Sequence, residues 1–208
     1  MKLDIAILAG GSGKRLGGVY KPVVEVCGKP AVVLLAENLG EAASSLILVV
    51  HDSVQKRVLE DVLARYPVAT RYRVLLDEVP VRAPLAGLYT ALRNSRSEFL
   101  GVAPADTPFL RGSSLLKLRS LAEGYDGAVP VWPNGYVEPL IAVYRVPRVL
   151  TAVASALSSG RLRVMDALGK LNVRLIPIGE VFADPERETF NLNRPEDYEK
   201  ARKLCGSV

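Results

Sequence analysis

The chain has 208 residues, 49% hydrophobic and 24% charged, with a formal net charge of +5. That is enough for one globular domain spanning 1–208 with a sizeable core. No apolar run reaches the roughly 18 residues of a membrane span, one His and two distant Cys exclude a zinc cluster, and the start, Met1-Lys2-Leu3-Asp4, is no secretion signal.

Taken in chain order, short apolar strands alternate with helical patterns. A strand at 3–9 is followed by a helix at 31–39, a strand at 46–51 by a helix at 54–65, and a strand at 71–76 by a helix at 85–95. A strand at 99–103 precedes a helix at 113–122. Strands at 127–131 and 137–144 then lead to a helix at 149–158, and a strand at 173–178 to a final helix at 195–204. Asp52-Ser53 and Ser113-Ser114 read as helix caps, and Pro195 as a first-turn residue. The strands are rich in Val, Ile and Leu, as in a parallel sheet buried on both faces. The fold class is therefore α/β, a three-layer, doubly wound, mostly parallel sheet, cytoplasmic and without a membrane anchor.

In such a sheet a ligand lies outside the carboxyl ends of the strands. The first strand runs straight into Gly10-Gly11-Ser12-Gly13-Lys14-Arg15-Leu16-Gly17-Gly18, with Lys21-Pro22 beyond. Five glycines in nine residues let backbone N–H groups approach a ligand, and Lys14, Arg15 and Lys21 add charge beside them. Residues 1–30 carry five cations and two anions, so much of the net charge sits here. The spacing fits neither a Walker A loop, since Arg15 follows Gly13-Lys14, nor a dinucleotide fingerprint, since Leu16 stands at the third glycine position. A phosphorylated small substrate is favoured over nucleic acid, for which a basic stripe with interleaved aromatics is missing. The plain alternative is a glycine-rich turn with solubilising charges.

Three further segments follow strands. Asp106 lies between Pro104 and Pro108, stiffly held, and is a candidate Mg²⁺ ligand or a simple turn residue. Asp77-Glu78 is followed by Pro84-Leu85-Ala86-Gly87, where a glycine early in a helix suits either a flat ligand against bare backbone or close packing. Asn191 and Asn193, two apart, point the same way in an extended stretch, and Asn193 also reads as a helix cap. His51 ends another strand. Gly135-Tyr136-Val137-Glu138 resembles a loop whose Tyr136 could stack on an aromatic acceptor, while Trp132 reads as core. Cys27 and Cys205 are expected to be free thiols in a reducing compartment. The single Gln, few Asn and abundant Arg, Glu and Pro lean towards a thermophile, in which a disulfide stays open.

Together these pieces resemble one family. Leu8-Ala9-Gly10-Gly11, Arg15-Leu16-Gly17-Gly18 and Lys21 are similar to the signature of small nucleotidyltransferases. Pro84 to Gly87, Pro104 to Phe109 and Phe190-Asn191-Leu192-Asn193-Arg194-Pro195-Glu196 follow in the order found in the molybdenum cofactor guanylyltransferases. The resemblance covers nearly the whole chain. It implies transfer of GMP from GTP to molybdopterin with Mg²⁺ as cofactor, by a protein that is a monomer by default and makes transient contact with molybdoenzyme-maturation proteins.

Carried over, the nucleotide would meet Leu8, Ala9, Gly10, Gly11, Ser12, Gly13, Lys14, Lys21, His51, Asp77, Gly87 and Asp106. Arg15, Lys21 and Asp106 would be catalytic, with Asp106 on the metal. Tyr136, Glu138, Asn191 and Asn193 are the acceptor candidates. His51 departs from a frequent Asn, Tyr20 from a common Asp and Ala105 from a frequent Cys. Adenosylcobinamide-phosphate guanylyltransferases resemble the stretch 10–29 too, and cytidylyl or sugar-phosphate transferases are further alternatives. From another class, a non-catalytic GTP-binding module would bind without releasing pyrophosphate. An NAD-binding oxidoreductase is disfavoured by the failed fingerprint.

Overall fold

The apolar run that begins the chain becomes an interior strand of a seven-stranded sheet. A computed structural model describes residues 2–11 and 20–205. Ser12, Gly13, Lys14, Arg15 and Leu16, with 17–19, lie outside the described residues.

The strands are β1 (Leu3–Leu8), β2 (Glu25–Val26), β3 (Lys29–Pro30), β4 (Ala43–Val50), β5 (Tyr72–Leu76), β6 (Phe99–Pro104), β7 (Gly127–Val131), β8 (Ala142–Arg145) and β9 (Val173–Pro177). The helices are α1 (Ala31–Leu39), α2 (Ser53–Arg65), α3 (Pro84–Asn94), α4 (Gly112–Leu121), α5 (Val146–Ser158), α6 (Val164–Leu168), α7 (Ile178–Val181), α8 (Pro185–Glu188) and α9 (Pro195–Cys205). The sheet order is β5-β4-β1-β6-β8-β7-β9, and β2 with β3 forms a separate hairpin. β1 pairs in parallel with β4 on one side and β6 on the other. β8 runs antiparallel to both β6 and β7, while β9 is parallel to β7.

Alternation along β1 divides the core. Leu3, Ile5 and Ile7 pack with Leu35, Leu39, Leu59, Leu63, Leu115 and Leu118 from α1, α2 and α4. Ala6 faces the other layer, where Ile47, Val49, Leu100 and Val102 meet Leu85, Leu88 and Leu92 of α3 and Val149 and Val153 of α5. These are the two helical layers of a doubly wound sheet. The chain leaves β1 for β4 and β5, then returns to β6 on the opposite side. The turning point of the sheet therefore lies at the carboxyl end of β1.

Local expectations met physical competitors in several places. β4 begins at Ala43 because Ala43 and Ser45 pair with Leu3 and Asp4 of β1 across an irregularity at Ser44, whose hydroxyl donates to the buried Asp4 carboxylate. β8 begins at Ala142, since Pro139 stops the expected longer strand and Val137 makes only an isolated bridge to Val131. Asp52 caps α2 as expected, accepting from the Gln55 N–H. Ser113-Ser114 does not cap α4. That helix begins at Gly112, and Glu188 from α8 accepts from the Arg111 N–H and the Ser114 hydroxyl instead.

The largest correction concerns the cysteines. Cys27 and Cys205 form a disulfide, with Cα atoms 5.4 Å apart across 178 residues of sequence. Cys27 (φ 53) and Gly28 (φ 77) make the tight turn between β2 and β3. α9 packs against β2 through a small cluster of Val26, Ala31, Phe109, Leu192 and Ala201, which brings the end of the chain to that turn. Two thiols remote in sequence become neighbours only through this packing.

Candidate active site

The carboxyl ends of β1, β4, β5 and β6 open on a cleft of about 600 Å³ lined by Leu8, Gly10, Gly11, Val49, Asp77, Arg82, Ala83, Pro84, Gly87, Pro104, Asp106 and Leu140. A smaller hollow shares Leu8, Gly11 and Asp106 with it and adds Ala9, Lys21 and Pro22. The ladder explains this convergence. The Ala9 N–H bonds the Val49 carbonyl, the Ala105 N–H the Leu8 carbonyl, and the Asp77 N–H the Val50 carbonyl, so four strands end at one level. A cavity of similar size, about 640 Å³, opens at the opposite edge around Asp4, Arg71 and Arg96. Helices end there, and Arg73 is spent on the Asn94 carbonyl in the last turn of α3. Exposed carbonyls repel phosphate, so the carboxyl-end cleft is the candidate site.

One end of the cleft is ionic. The Lys21 ammonium donates to Asp106 Oδ2 at 3.2 Å and to Asn193 Oδ1 at 2.7 Å. The Leu192 N–H donates to the Asp106 carbonyl, fixing the segment before α9 against the end of β6. Asn193 is occupied here rather than as a cap. Asp197, in the first turn of α9, accepts from the N–H groups of Asn193 and Arg194 and so fixes the backbone from which the Asn193 side chain meets Lys21. Tyr20 donates its hydroxyl to the Ala9 carbonyl, and burial, reinforced by Asp52, pushes that phenol's pKa up.

The other end holds a buried carboxylate. Asp77 has a side chain only 6% exposed, and its Oδ2 lies 3.2 Å from His51 Nδ1. Its Oδ1 is buried without a hydrogen-bond partner. Desolvation raises the Asp77 pKa, with the His51 contact and the Arg82 charge opposing it. His51 is held in turn by its own N–H, which donates to Gln55 Oε1, while Gln55 Nε2 donates to the Gly11 carbonyl. Arg82, on the cleft wall, donates to Asp52 at 3.0 Å. Two glycines keep this end open. A Cβ on Gly10 would stand 3.3 Å from the His51 nitrogen, and one on Gly87 would stand among Leu8, Asp77 and Val49.

The structure thus brings together Leu8, Ala9, Gly10, Gly11, Lys21, His51, Asp77, Gly87, Asp106 and Asn193. Asn191 lies nearby in sequence but donates to the Thr189 carbonyl. Glu138 accepts from the Trp132 indole at 2.9 Å, and burial raises its pKa against that bond. Tyr136, 60% exposed, lies at the tip of the same turn; neither Tyr136 nor Glu138 lines the cleft. Gln55 and Arg82 were missed by sequence reasoning. The available signal for Gln55 was that it is the only Gln in the chain, three residues past the Asp52 cap.

A doubly wound sheet with Gly10 and Gly11 at its turning point, a Lys–Asp pair beside them and an open cleft defines a nucleotide-binding protein of the nucleotidyltransferase kind. The profile of the MobA-like NTP transferase domain matches residues 5–172, and the chain belongs to that family. It is 35% identical over 93% of its length to a Methanosarcina mazei protein named a probable molybdenum cofactor guanylyltransferase, of which it spans 87%. A Cereibacter sphaeroides protein named a molybdenum cofactor guanylyltransferase is 31% identical, over 98% of this chain and 97% of that one. The crystal structure of molybdopterin-guanine dinucleotide biosynthesis protein A from Archaeoglobus fulgidus superposes with a TM-score of 0.81 at 27% identity, covering 99% and 100% of the two chains. Among the described residues no helix is long and apolar enough to cross a membrane.

Proposed function

We propose that this protein transfers GMP from GTP to the terminal phosphate of molybdopterin and releases pyrophosphate. The observation that carries this reading is the polarity of the cleft. Its ionic end offers Lys21 and Asp106 for phosphates, and its buried end offers an unpartnered carboxylate oxygen, Asp77 Oδ1, for a base. Guanine presents N–H donors on its Watson–Crick edge. Adenine offers one donor, its N6 amine, and an acceptor at N1, so it cannot present the adjacent pair of donors that guanine N1–H and N2–H bring to a carboxylate. Gly87 gives the ring a wall without a side chain.

Asp106 is suited to a divalent cation. It is a hard oxygen donor at a strand end, and no group of three or more His, Cys, Asp or Glu able to hold a metal occurs among the described residues. A site with one carboxylate fits Mg²⁺, which keeps waters and substrate phosphates as its other ligands. When bound, Mg²⁺ would neutralise charge on the triphosphate and on the departing pyrophosphate.

The remaining work falls to the chain. The nucleophile is a phosphate oxygen of the acceptor, already anionic, so no general base is required. Its oxygen bonds to the α-phosphorus while the bond from that phosphorus to the bridging oxygen of the β-phosphate breaks, and the electron pair leaves with pyrophosphate. Lys21 would hold the triphosphate and stabilise that charge, and Asn193 keeps its ammonium aimed. Lys14 and Arg15, outside the described residues, are proposed to assist on sequence grounds alone. Tyr136, Glu138 and Asn191 remain candidates for the acceptor's rim, the chain is proposed to act as a cytoplasmic monomer, and contact with molybdoenzyme-maturation proteins stays part of the proposal.

The test is pyrophosphate release from Mg²⁺ and each of GTP, ATP, CTP and UTP, with molybdopterin or cobinamide phosphate as acceptor. Release with GTP and molybdopterin alone supports the reading. Release only with cobinamide phosphate reassigns the acceptor. GTP binding without release under any pairing makes the protein a binding module.

A further inference from the structure

We propose that His51 is a positioning residue that aims the Asp77 carboxylate at the guanine base, so that nucleotide selectivity depends on a side chain that need not touch the nucleotide. The inference rests on the guanylyltransferase reading and adds a selectivity determinant to it.

The geometry is specific. An ionised Asp77 can only accept, so the contact of 3.2 Å between His51 Nδ1 and Asp77 Oδ2 places the proton on Nδ1. That bond takes up one carboxylate oxygen and fixes rotation of the group. The other oxygen, Oδ1, is left buried and unpartnered on a residue that lines the cleft. His51 is itself fixed. The backbone N–H of His51 donates to Gln55 Oε1 at 2.9 Å, Gln55 Nε2 donates to the Gly11 carbonyl at 3.0 Å, and the Gln55 backbone N–H donates to the capping Asp52. A side chain at position 10 would press on the His51 backbone, and glycine avoids that. The chain from Gly11 through Gln55 and His51 to Asp77 joins the glycine loop's first residues to the base end. Without the ring, Asp77 loses the bond that fixes which oxygen is left unpartnered.

Shape supplies the control. The Nδ2 of an Asn stands as many bonds from the backbone as the Nδ1 of a His. His51→Asn therefore restores a donor at the same place, whereas His51→Ala removes it.

The measurement is the calorimetric Kd for GTP and for ATP, and kcat and KM for both, in wild type, His51→Ala, His51→Asn, Asp77→Asn and the double variant His51→Ala/Asp77→Asn. His51→Ala should weaken GTP binding and raise its KM about tenfold, leave kcat within about threefold, and leave ATP nearly unchanged. His51→Asn should recover most of the selectivity. In the Asp77→Asn background, removing His51 should have little further effect, because the two act as one unit. An unchanged ratio of GTP to ATP affinity in His51→Ala overturns the proposal, and so does a fully additive double variant. If His51→Ala fails to fold, loss of selectivity in His51→Asn overturns it on its own. Wild-type protein with no preference for GTP would instead sink the guanylyltransferase reading.

Discussion

The Lys21 ammonium lies 3.2 Å from Asp106 Oδ2, although 85 residues separate them. Asn193, from the other end of the chain, completes the cluster at 2.7 Å. A cation already next to the proposed metal ligand will compete with the metal for that carboxylate until phosphates arrive to take up both charges. Asp106→Asn should therefore lower kcat at least about a hundredfold and raise the Mg²⁺ concentration needed for half-maximal rate. Lys21→Ala should lower kcat comparably and raise the KM for GTP. Chelating the metal should abolish turnover and leave the fold, followed by circular dichroism, unchanged.

Asp77 sets stability against function. Its folded pKa is raised, so the folded state holds the proton more tightly than the unfolded one. Stability then falls as pH rises from the ordinary carboxylate value through the folded value, and the loss is complete above it. Asp77→Asn should raise the Tm of the ligand-free protein at pH 7 and remove the preference for GTP. Differential scanning calorimetry, with and without nucleotide, reads both effects.

Asp4 behaves in the opposite sense. It is 5% exposed. Burial alone would raise its pKa, but the Arg96 N–H and the hydroxyls of Ser44 and Ser95 outweigh that and hold it below the ordinary 3.8. Its contribution is present above that value and is lost as pH falls through the folded pKa. Asp4→Ala should cost about 3 kcal/mol at pH 7, because the buried donors lose their acceptor. Acid unfolding curves should show a shallower low-pH limb for Asp4→Asn than for wild type.

The Cys27–Cys205 bond closes a loop of nearly the whole chain. In the chain-entropy picture such a loop is worth about 5 kcal/mol. Reduction, or Cys205→Ser, should lower the denaturation midpoint markedly. The same change should free α9 and raise the KM for GTP modestly, since Asn193 reaches Lys21 from the segment that α9 anchors. Matched melts and rates with and without reductant separate the two effects.

Gly87 offers a cleaner trade. A Cβ there would make ordinary contacts of 3.4 Å with Leu8 and 3.6 Å with Asp77. Gly87→Ala should thus fold well and gain up to about 1 kcal/mol of helix stability. It should also lower kcat/KM for GTP roughly tenfold, by putting a methyl group where the base lies flat.

The strand-ending motifs were legible in the sequence because each is a local signal. An apolar run followed by Gly10-Gly11, an Asp between prolines, and an acid closing the 71–76 strand all announce themselves within a few residues. The βαβ rhythm was legible for the same reason, since alternation and helix periodicity are short-range patterns. Those signals determined the α/β class and the segments in which to look for the site.

Everything relational was decided by the tertiary structure. No spacing rule pairs His51 with Asp77, which meet only because β4 and β5 lie side by side. Asn193 faces Lys21 while Asp197 holds the backbone N–H groups of Asn193 and Arg194, and Glu188 reaches from α8 to the start of α4. The two cysteines bond because α9 folds back onto the β2–β3 turn. A sequence specifies local propensity cheaply, through contacts within one or two turns. Which polar group satisfies which depends on long-range packing that brings remote segments within hydrogen-bond distance, and that information resides in the fold as a whole.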